Sequence, residues 1–379
     1  MIKSVEFIKA LKKNKINFYT GVPDSLFSSL CNTFETKERK NHIISTNEGS
    51  SLGLAIGYHL GTGKIPLVYL QNSGLGNLVN PLVSLADKKV FKIPIFFLVG
   101  WRAEILNKTK QIKDEPQHIT QGLITPALLR LLNIKYKIIN SKSDYKKIIK
   151  KLYVHSKKNK SFVALLIRKN TFEKVDNKNL NSNKNFLTRE QALKIVYKNT
   201  PSKIIKVSTT GMLSRELFEI NKKFKTIKNT FMCVGGMGHS ISIASGLALA
   251  KKKNKILCLD GDGSALMHLG SLANSAKINN LIHIVFNNFA HDSVGGQTPP
   301  SENIHFSEVA KKMGYKYSHQ VHNIKQIGNK IKLAIKSKRS TFIEIICKKG
   351  HRKNLSRPKN HALYYKNLFM DFLKKNNDK

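Results

Sequence analysis

The sequence has few cysteines, and they lie far apart. Cys31, Cys233, Cys258 and Cys347 are the only four in 379 residues. Because no Cys-x-x-Cys pair occurs, we expect buried reduced thiols and neither a zinc site nor a disulfide framework. Apolar runs are short as well, and none approaches the roughly 20 residues that a membrane-spanning helix needs. The N-terminal segment has amphipathic helical spacing without a signal peptide's apolar core, so we expect a cytoplasmic protein with no membrane partner.

Acidic residues are scarce beside basic ones: 23 Asp and Glu stand against 66 Lys and Arg, and the formal net charge is +43. Such a charge suggests nucleic-acid binding. The lysines are spread along the whole chain, however, and no RNA- or DNA-binding motif is present. We therefore expect a solvated lysine surface and no nucleic-acid partner, with a basic nucleic-acid-binding α/β protein as the remote alternative. A positive field would also speed the capture of an anionic substrate.

Apolar runs alternate with helical segments along both halves of the chain. This alternation predicts an α/β fold with two doubly wound, mainly parallel sheets. Residues 170–186 are rich in Asn and Lys and have no periodicity, which is typical of a linker. We predict a first domain over 1–170, a linker over 171–186, and a second domain over 187–379 that ends in a helix.

The stretch 256–298 carries the strongest functional signal. Its pattern predicts a strand over Ile256–Leu259, a tight turn, a helix over about 265–276, and a second strand over Leu281–Phe286. Such a β-α-β unit is expected to be parallel and right-handed. Because ligands bind beyond the carboxyl ends of parallel strands, the polar residues that follow each strand should meet in one crevice.

The residue types in this crevice suit a metal ion bound to a diphosphate. Asp262 offers a carboxylate, and Asn288, 26 residues later, offers an amide oxygen. Mg²⁺ prefers oxygen ligands of these kinds. Gly261 and Gly263 let the backbone approach a phosphate, and Ser264 opens a helix whose N-terminus attracts anions. Alone, Gly-Asp-Gly is a weak signal, because most Asp-Gly pairs are plain turns.

The spacing of GDG and NN resembles the motif of the thiamine diphosphate (ThDP)-dependent enzymes. In that family the Asp and the second Asn hold Mg²⁺, which holds the diphosphate, so the resemblance implies Asp262, Asn288 and the backbone carbonyl of Ala290 as ligands. It also implies the ThDP-binding fold, with a pyrimidine-binding domain followed by a diphosphate-binding domain. The cofactor then lies between domains of two subunits, which predicts a dimer or higher homo-oligomer.

The resemblance assigns further cofactor-binding residues. The family has a catalytic Glu at the head of a small-residue helix, beside N1′ of the aminopyrimidine, and Glu48 fits that place; helix-dipole stabilisation alone would also favour a Glu there. Met237 resembles the bulky residue over which the cofactor bends, although core filling would explain it equally. Thr210 and Gly211 resemble a turn that contacts the diphosphate, although helix capping would suffice.

A glycine stripe follows Glu48. Gly49, Gly53 and Gly57 fall on one face of the predicted helix. Each glycine costs a helix about 1 kcal/mol, so the stripe predicts a close packing partner. That partner is either the chain's own sheet or a second subunit.

Several stretches resemble a narrower group, the decarboxylases of 3-phosphonopyruvate. They are YTGVPDSL, NEGSSLGLAIGYHLGTGKIPLVYLQNSGLGN, GWR…KDEPQH, TTGMLSREL, VGGMGH and NNFAHDSVGGQT. The resemblance implies a ThDP- and Mg²⁺-dependent carboxy-lyase that forms phosphonoacetaldehyde and CO₂ in phosphonate biosynthesis. A sulfopyruvate decarboxylase or another ThDP-dependent 2-keto acid lyase is the alternative.

The substrate would be a small anionic 2-keto acid with a second anion at its far end. Asp24, His118 and His291 are the predicted proton-handling residues, from resemblance and from their places at loop or strand ends; an ordinary surface or capping role is the alternative for each. Arg102 and Lys113 are the candidates for the phosphonate, because a guanidinium fork fits a three-oxygen anion and a lysine adds a point charge.

Overall fold

The computed structural model describes residues 1–107, 110–174, 186–358 and 360–375. The chain divides into two compact units, residues 1–178 and 179–379. Residues 175–185 of the predicted linker lie outside the described residues, so the domain boundaries given above stay a prediction.

The first unit contains a parallel sheet with helices on both faces. Its strands are β1 (Tyr19–Gly21), β2 (His42–Ile44), β3 (Leu67–Gln71), β4 (Phe96–Gly100), β5 (Ile105–Asn107), β6 (Lys110–Gln111), β7 (Lys135–Ile139) and β8 (Val163–Ile167). Six of them form one sheet in the order β2-β1-β3-β4-β8-β7, and β5 and β6 pair separately in the predicted loop. The helices are α1 (Ser4–Lys13), α2 (Ser28–Lys37), α3 (Glu48–Thr62), α4 (Leu75–Pro81), α5 (Pro116–Leu131) and α6 (Tyr145–Asn159).

Alternating residues of the central strands fill two cores in this unit. Phe96 and Leu98 pack in a cluster with residues of α1, α2 and α6. Phe97 and Val99 pack in a second cluster with residues of α3, α4 and α5. Strands covered on both faces need apolar residues at every position, which explains the continuous apolar runs in the sequence.

The second unit repeats this architecture. Its strands are β9 (Ile205–Ser208), β10 (Thr230–Met232), β11 (Ile256–Gly261), β12 (Leu281–Asn287), β13 (Tyr317–Val321) and β14 (Thr341–Ile346), in the parallel order β10-β9-β11-β12-β14-β13. The helices are α7 (Arg189–Lys198), α8 (Met212–Lys223), α9 (Ser240–Ala250), α10 (Asp262–Met267), α11 (Ser271–Ser275), α12 (Phe306–Lys312), α13 (Ile324–Lys336) and α14 (Ala362–Lys375). Two doubly wound parallel sheets are the fold that the sequence predicts.

One predicted element is wrong. The helix expected over about 265–276 is two short helices, α10 and α11, because His268 leaves the helical conformation at φ −133° and ψ 50°. The cysteines follow the prediction: all four are described, and all four are buried free thiols. Among the helices of the described ranges, none is long and apolar enough to cross a membrane.

Candidate active site

In the first unit, Glu48 begins α3 and its carboxyl group is buried. The side chain of Glu48 is hydrogen-bonded by the Asn77 amide, whose Nδ2 lies 2.7 Å from Oε2. A Cβ at position 74 would collide with the Glu48 carboxyl group, so only glycine allows this approach. Burial raises the pKa of Glu48, and the hydrogen bond from Asn77 opposes that rise. The result is a carboxyl group that can hold a proton nearer to neutral pH.

A second cluster of the first unit gathers at the carboxyl ends of β1 and β4. Asp24 is fully buried, and its Oδ1 accepts a hydrogen bond from the Leu26 amide at 2.5 Å. Burial raises the pKa of Asp24. A Cβ at Gly100, the last residue of β4, would lie 2.8 Å from the Asp24 carboxyl carbon. The strand end therefore brings Asp24 close to the start of the loop that contains Arg102.

Arg102 is already paired within this cluster. Its Nε and Nη2 donate to the two carboxylate oxygens of Asp114 at 2.8 and 2.5 Å. Burial opposes the ionised form of Asp114, but the hydrogen bonds and charge of Arg102 prevail and lower its pKa to about 2. Asp114 also accepts from the Ala103 and Glu115 amides at 3.1 and 2.8 Å. The pair thus closes the base of the loop, and Nη1 of Arg102 lies 3.4 Å from the Ser25 hydroxyl.

His118 and Lys113 belong to the same loop region but differ in exposure. His118 lies in the first turn of α5 and is buried, and burial together with the charge of Arg102 lowers its pKa. Lys113 is exposed next to Asp114. The structure therefore brings Asp24, Arg102 and His118 into one electrostatic cluster, and Lys113 is an exposed residue of the same loop.

In the second unit, Asp262 is the first residue after β11 and is buried. Its Oδ2 has no hydrogen-bond partner among the described residues. Burial raises the pKa of Asp262 to about 7, and the negative charge of Asp292 adds to this rise. The Gly263 amide and the positive charge of Arg189 oppose the rise. A buried carboxylate oxygen without a partner is costly unless a cation or donor reaches it.

Asn288 follows β12, which pairs with β11 in parallel along its length. Its Nδ2 donates to Oδ2 of Asp292 at 2.6 Å. The next residue, Phe289, has φ +53°, which is uncommon for a bulky side chain and is typical of functional loops. Its amide is held 3.2 Å from Oδ1 of Asn287. Asn288 and buried Ala290 thus flank a constrained turn at the strand end.

Ser264 holds three loops of this unit together. Its hydroxyl accepts a hydrogen bond from the Gly238 amide at 3.0 Å and from the Thr209 hydroxyl at 2.8 Å. Thr210 donates to the Val234 carbonyl at 2.9 Å. The turns after β9, β10 and β11 are therefore tied to one another, as a cradle for a diphosphate requires.

The remaining predicted residues lie on these same turns. Gly211 has φ +88° and directly precedes α8. Met237 is half-buried in the turn before α9, and Gly261 ends β11. A Cβ at Gly263 would lie 2.9 Å from the imidazole of His291, so this glycine allows the histidine to approach the turn. Burial lowers the pKa of His291 to about 4, which makes the ring neutral at neutral pH.

Sequence reasoning missed four residues that support these sites. Asn77 contacts Glu48, Asp114 contacts Arg102, and Asp292 contacts Asn288. Asp292 is bound in turn by Arg189, which lies 103 residues away in the sequence. The polar stretches of sequence around Asn77, Asp114 and Asp292 offered a signal, but the partners of these residues were not apparent, and Arg189 had no local signal.

Comparison with known proteins agrees with this geometry. Residues 5–122 match the thiamine pyrophosphate enzyme N-terminal TPP binding domain, and residues 207–345 match the C-terminal TPP binding domain. A phosphonopyruvate decarboxylase from Streptomyces viridochromogenes is 29% identical over 95% of this chain and 92% of its own length. Another from Streptomyces hygroscopicus is 29% identical over 95% of this chain and 91% of its own. The sulfopyruvate decarboxylase subunit beta of Methanococcus maripaludis is 34% identical over 50% of this chain and 99% of its own.

The chain therefore belongs to the thiamine pyrophosphate enzymes, the family also called ThDP-dependent. The predicted family, its fold and thiamine diphosphate as cofactor are confirmed. The roles of the individual site residues stay predictions.

Proposed function

We propose that this chain is a ThDP- and Mg²⁺-dependent carboxy-lyase that converts 3-phosphonopyruvate to phosphonoacetaldehyde and CO₂, a step of phosphonate biosynthesis. The observation that supports 3-phosphonopyruvate as the substrate is the share of this chain that each group of relatives matches. Two phosphonopyruvate decarboxylases match 95% of the chain at 29% identity, whereas the sulfopyruvate decarboxylase of Methanosarcina acetivorans matches 76% of it at 25% identity. Sulfopyruvate decarboxylation is the second candidate, because the sulfopyruvate decarboxylase subunit beta is 34% identical to this chain over half of its length.

The donor set of the second unit fits a magnesium ion. Asp262 has a buried carboxylate oxygen with no partner within the described part of the chain, and Asn288 adds an amide oxygen on the adjacent strand end. We propose these two side chains and the Ala290 carbonyl as the protein ligands. Mg²⁺ usually takes its remaining ligands from phosphate and water, which suits a bound diphosphate.

We propose that the diphosphate is bound by five residues of the turns described above: Thr210, Gly211, Gly261, Gly263 and Ser264. Met237 would contact the rest of the cofactor. The hydrogen bonds of Ser264 to the other turns support a preformed cradle. When bound, ThDP supplies an electron sink for the electron pair that is left when CO₂ departs.

The residues of the chain would hold and move protons around that step. Glu48, whose pKa is raised by burial, is suited to share a proton with a ring nitrogen of the cofactor. Asp24 also has a pKa raised by burial, so it can carry a proton to a carbon or oxygen of the product. His118 and His291 have pKa values lowered by burial, so at neutral pH both rings are neutral and can accept a proton.

Recognition of the phosphonate needs cations near the loop of the first unit. Arg102 directs Nη1 toward Ser25 and its other nitrogens toward Asp114, and Lys113 is exposed one residue before Asp114 in the sequence. We propose that Asp114 holds the guanidinium in place while Nη1, which lies 3.4 Å from the exposed Ser25 hydroxyl, and Lys113 contact the phosphonate. Charge-assisted contacts of this kind contribute about 1.5–3 kcal/mol each.

A homo-oligomer is also part of the proposal. Among the described residues, and leaving aside the backbone of α3 itself, a Cβ added at Gly53 or Gly57 would meet no atom within 4 Å. Leu54 and Leu60 on the same helix are 39% and 70% exposed. Because the chain's own sheet does not cover this face, we propose that a second copy does, as the family resemblance implies for the cofactor site. The four buried thiols support a cytoplasmic location.

The test is substrate preference. The purified protein with ThDP and Mg²⁺ is given 3-phosphonopyruvate, sulfopyruvate or pyruvate, and kcat/KM is compared. We expect the highest value for phosphonopyruvate, with phosphonoacetaldehyde seen as a new signal in ³¹P NMR. A higher kcat/KM for sulfopyruvate would replace the proposed substrate with the alternative.

A further inference from the structure

A buried ionic network lies directly behind the amide of Asn288. Arg189, the first residue of α7, is 5% exposed, and Glu216 on α8 is 2% exposed. Nε and Nη2 of Arg189 donate to the two carboxylate oxygens of Glu216 at 2.8 and 3.1 Å. Nη1 of Arg189 donates to Oδ2 of Asp292 at 2.9 Å. Arg189 thus bridges a carboxylate on α8 and a carboxylate in the loop after β12.

Asp292 is held from three directions. Its Oδ2 accepts from Arg189 and from the Asn288 amide, and its Oδ1 accepts from the Gly350 amide at 3.2 Å. The Asp292 side chain is only 5% exposed, so water screens these contacts weakly. Its position is therefore set by α7 and by the segment after β14, not by the loop alone.

This arrangement decides which way the carboxamide of Asn288 points. A carboxylate can accept hydrogen bonds but cannot donate them, so the group facing Asp292 must be the NH₂ of Asn288. The amide oxygen is then directed away from Asp292 and is left for another partner. Without Asp292, nothing in this contact would distinguish the two ends of the amide.

The charges of the network are consistent with a neighbouring dication. Arg189 carries one positive charge, and Glu216, Asp292 and Asp262 would carry three negative charges when ionised. The four groups together leave two negative charges in a buried region, which a divalent cation would balance.

We propose that Arg189 and Asp292 are positioning residues for the metal ion: Asp292 orients Asn288 with its oxygen toward the metal, and Arg189, anchored by Glu216, holds Asp292. This inference rests on the proposed function for the role of Asn288. Partners of this kind usually change metal affinity by about 10- to 100-fold when they are altered.

The test uses Asp292→Asn and Arg189→Lys. The Asn variant keeps the size of Asp292 but replaces one acceptor oxygen by an NH₂ donor. That NH₂ must face either the Gly350 amide or the donors of Arg189 and Asn288, so donors oppose each other on one side of residue 292. The Lys variant keeps the charge but cannot contact both carboxylates with a planar fork. ThDP is kept in excess while Mg²⁺ is titrated, and binding is followed by quenching of protein fluorescence. Mn²⁺ binding measured by electron paramagnetic resonance gives a second readout without turnover.

The matched control is Arg352→Gln. Arg352 also connects α7 and α8, because it contacts Glu190 and Glu219, but it is 37% exposed and does not touch Asp292. Losing its side chain weakens the same helix pair but keeps the backbone amide of Gly350 that binds Asp292. Unfolding of the metal-free proteins by urea measures any general loss of stability in all three variants.

We expect the half-saturating Mg²⁺ concentration to rise about 10- to 100-fold in Asp292→Asn and Arg189→Lys and to stay unchanged in Arg352→Gln. At saturating Mg²⁺, kcat should return to within a few-fold of the parent value.

Unchanged Mg²⁺ and Mn²⁺ affinity in both variants would overturn the inference, as would an equal loss in Arg352→Gln. If Asp292→Asn does not fold, Arg189→Lys decides. A different preferred substrate would refute the proposed function and leave these binding results intact, whereas no Mg²⁺-dependent ThDP binding by the parent would refute both.

Discussion

Replacing Asp262 by asparagine should stabilise the protein without cofactor while abolishing its affinity for the metal. Burial raises the pKa of Asp262 to about 7, from an ordinary value of 3.8. The folded state therefore binds this proton more tightly than the unfolded state does. Stability falls as the pH rises from the unfolded pKa to the folded pKa, and the full cost is present above pH 7.

The size of the effect follows from the difference between the two pKa values. A difference of about three, at about 1.36 kcal/mol for each tenfold change in proton affinity, gives a cost on the order of 4 kcal/mol above pH 7 without metal. The Asp262→Asn variant has no charge to bury at this position, so it should be more stable than the parent at pH 8 by up to about this amount. At pH 5 the parent's carboxyl is largely protonated when folded, and the gain should shrink to about 1–2 kcal/mol.

The assay is urea unfolding of both proteins in EDTA at pH 5 and pH 8, with calorimetry of Mg²⁺–ThDP binding alongside. Asp371→Asn, an exposed aspartate on α14, is the control and should change neither quantity. Equal stability of Asp262→Asn and parent at pH 8 would refute the electrostatic reasoning. Undiminished Mg²⁺-dependent ThDP binding by the variant would remove Asp262 from the metal site.

Three further predictions concern the first unit. Glu48→Gln should lower turnover by about 10²- to 10⁴-fold while Mg²⁺–ThDP still binds; C2 proton–deuterium exchange of bound cofactor at the parent rate would contradict this. Arg102→Ala should lower kcat/KM for phosphonopyruvate about 10- to 150-fold and alter pyruvate turnover little, because pyruvate lacks the second anion. Arg168→Gln, which removes the arginine paired with Glu104, is its control, and equal losses on both substrates would mean that Arg102 only closes the loop with Asp114. Gly57→Leu should leave the folded chain intact but dissociate the oligomer in mass photometry, with Gly270→Leu as an equally open control position; an unchanged mass would place the interface elsewhere.

Local sequence signals predicted the architecture, and they placed the candidate site residues at the ends of the right strands; the roles of those residues stay predictions. The continuous apolar runs that became β4, β11 and β12 are required of strands covered on both faces, so their assignment needed no tertiary information. Asp262 and Asn288 follow two such strands directly, and parallel pairing alone brings their strand ends together. Glu48 likewise follows β2 at the start of a helix.

The partners that tune these residues could not be read from local patterns. Arg102 was expected to be available for an anion, but a carboxylate twelve residues later already binds it. Arg189 contacts Asp292 although 103 residues separate them in the sequence. The helix-capping sequence around Thr188 gave no hint of this contact. The helix predicted over 265–276 was too long because the apolar spacing in the sequence stays helical past His268. The backbone leaves the helical conformation at that residue.

The central claim is tested most directly by CO₂ release from 3-phosphonopyruvate, measured with the purified protein in the presence and absence of ThDP and Mg²⁺. The account predicts rapid release that requires both additions, is lost in Asp262→Ala, and exceeds the release from sulfopyruvate and pyruvate. Release that is independent of ThDP, or none from phosphonopyruvate beside rapid release from another 2-keto acid, would contradict it.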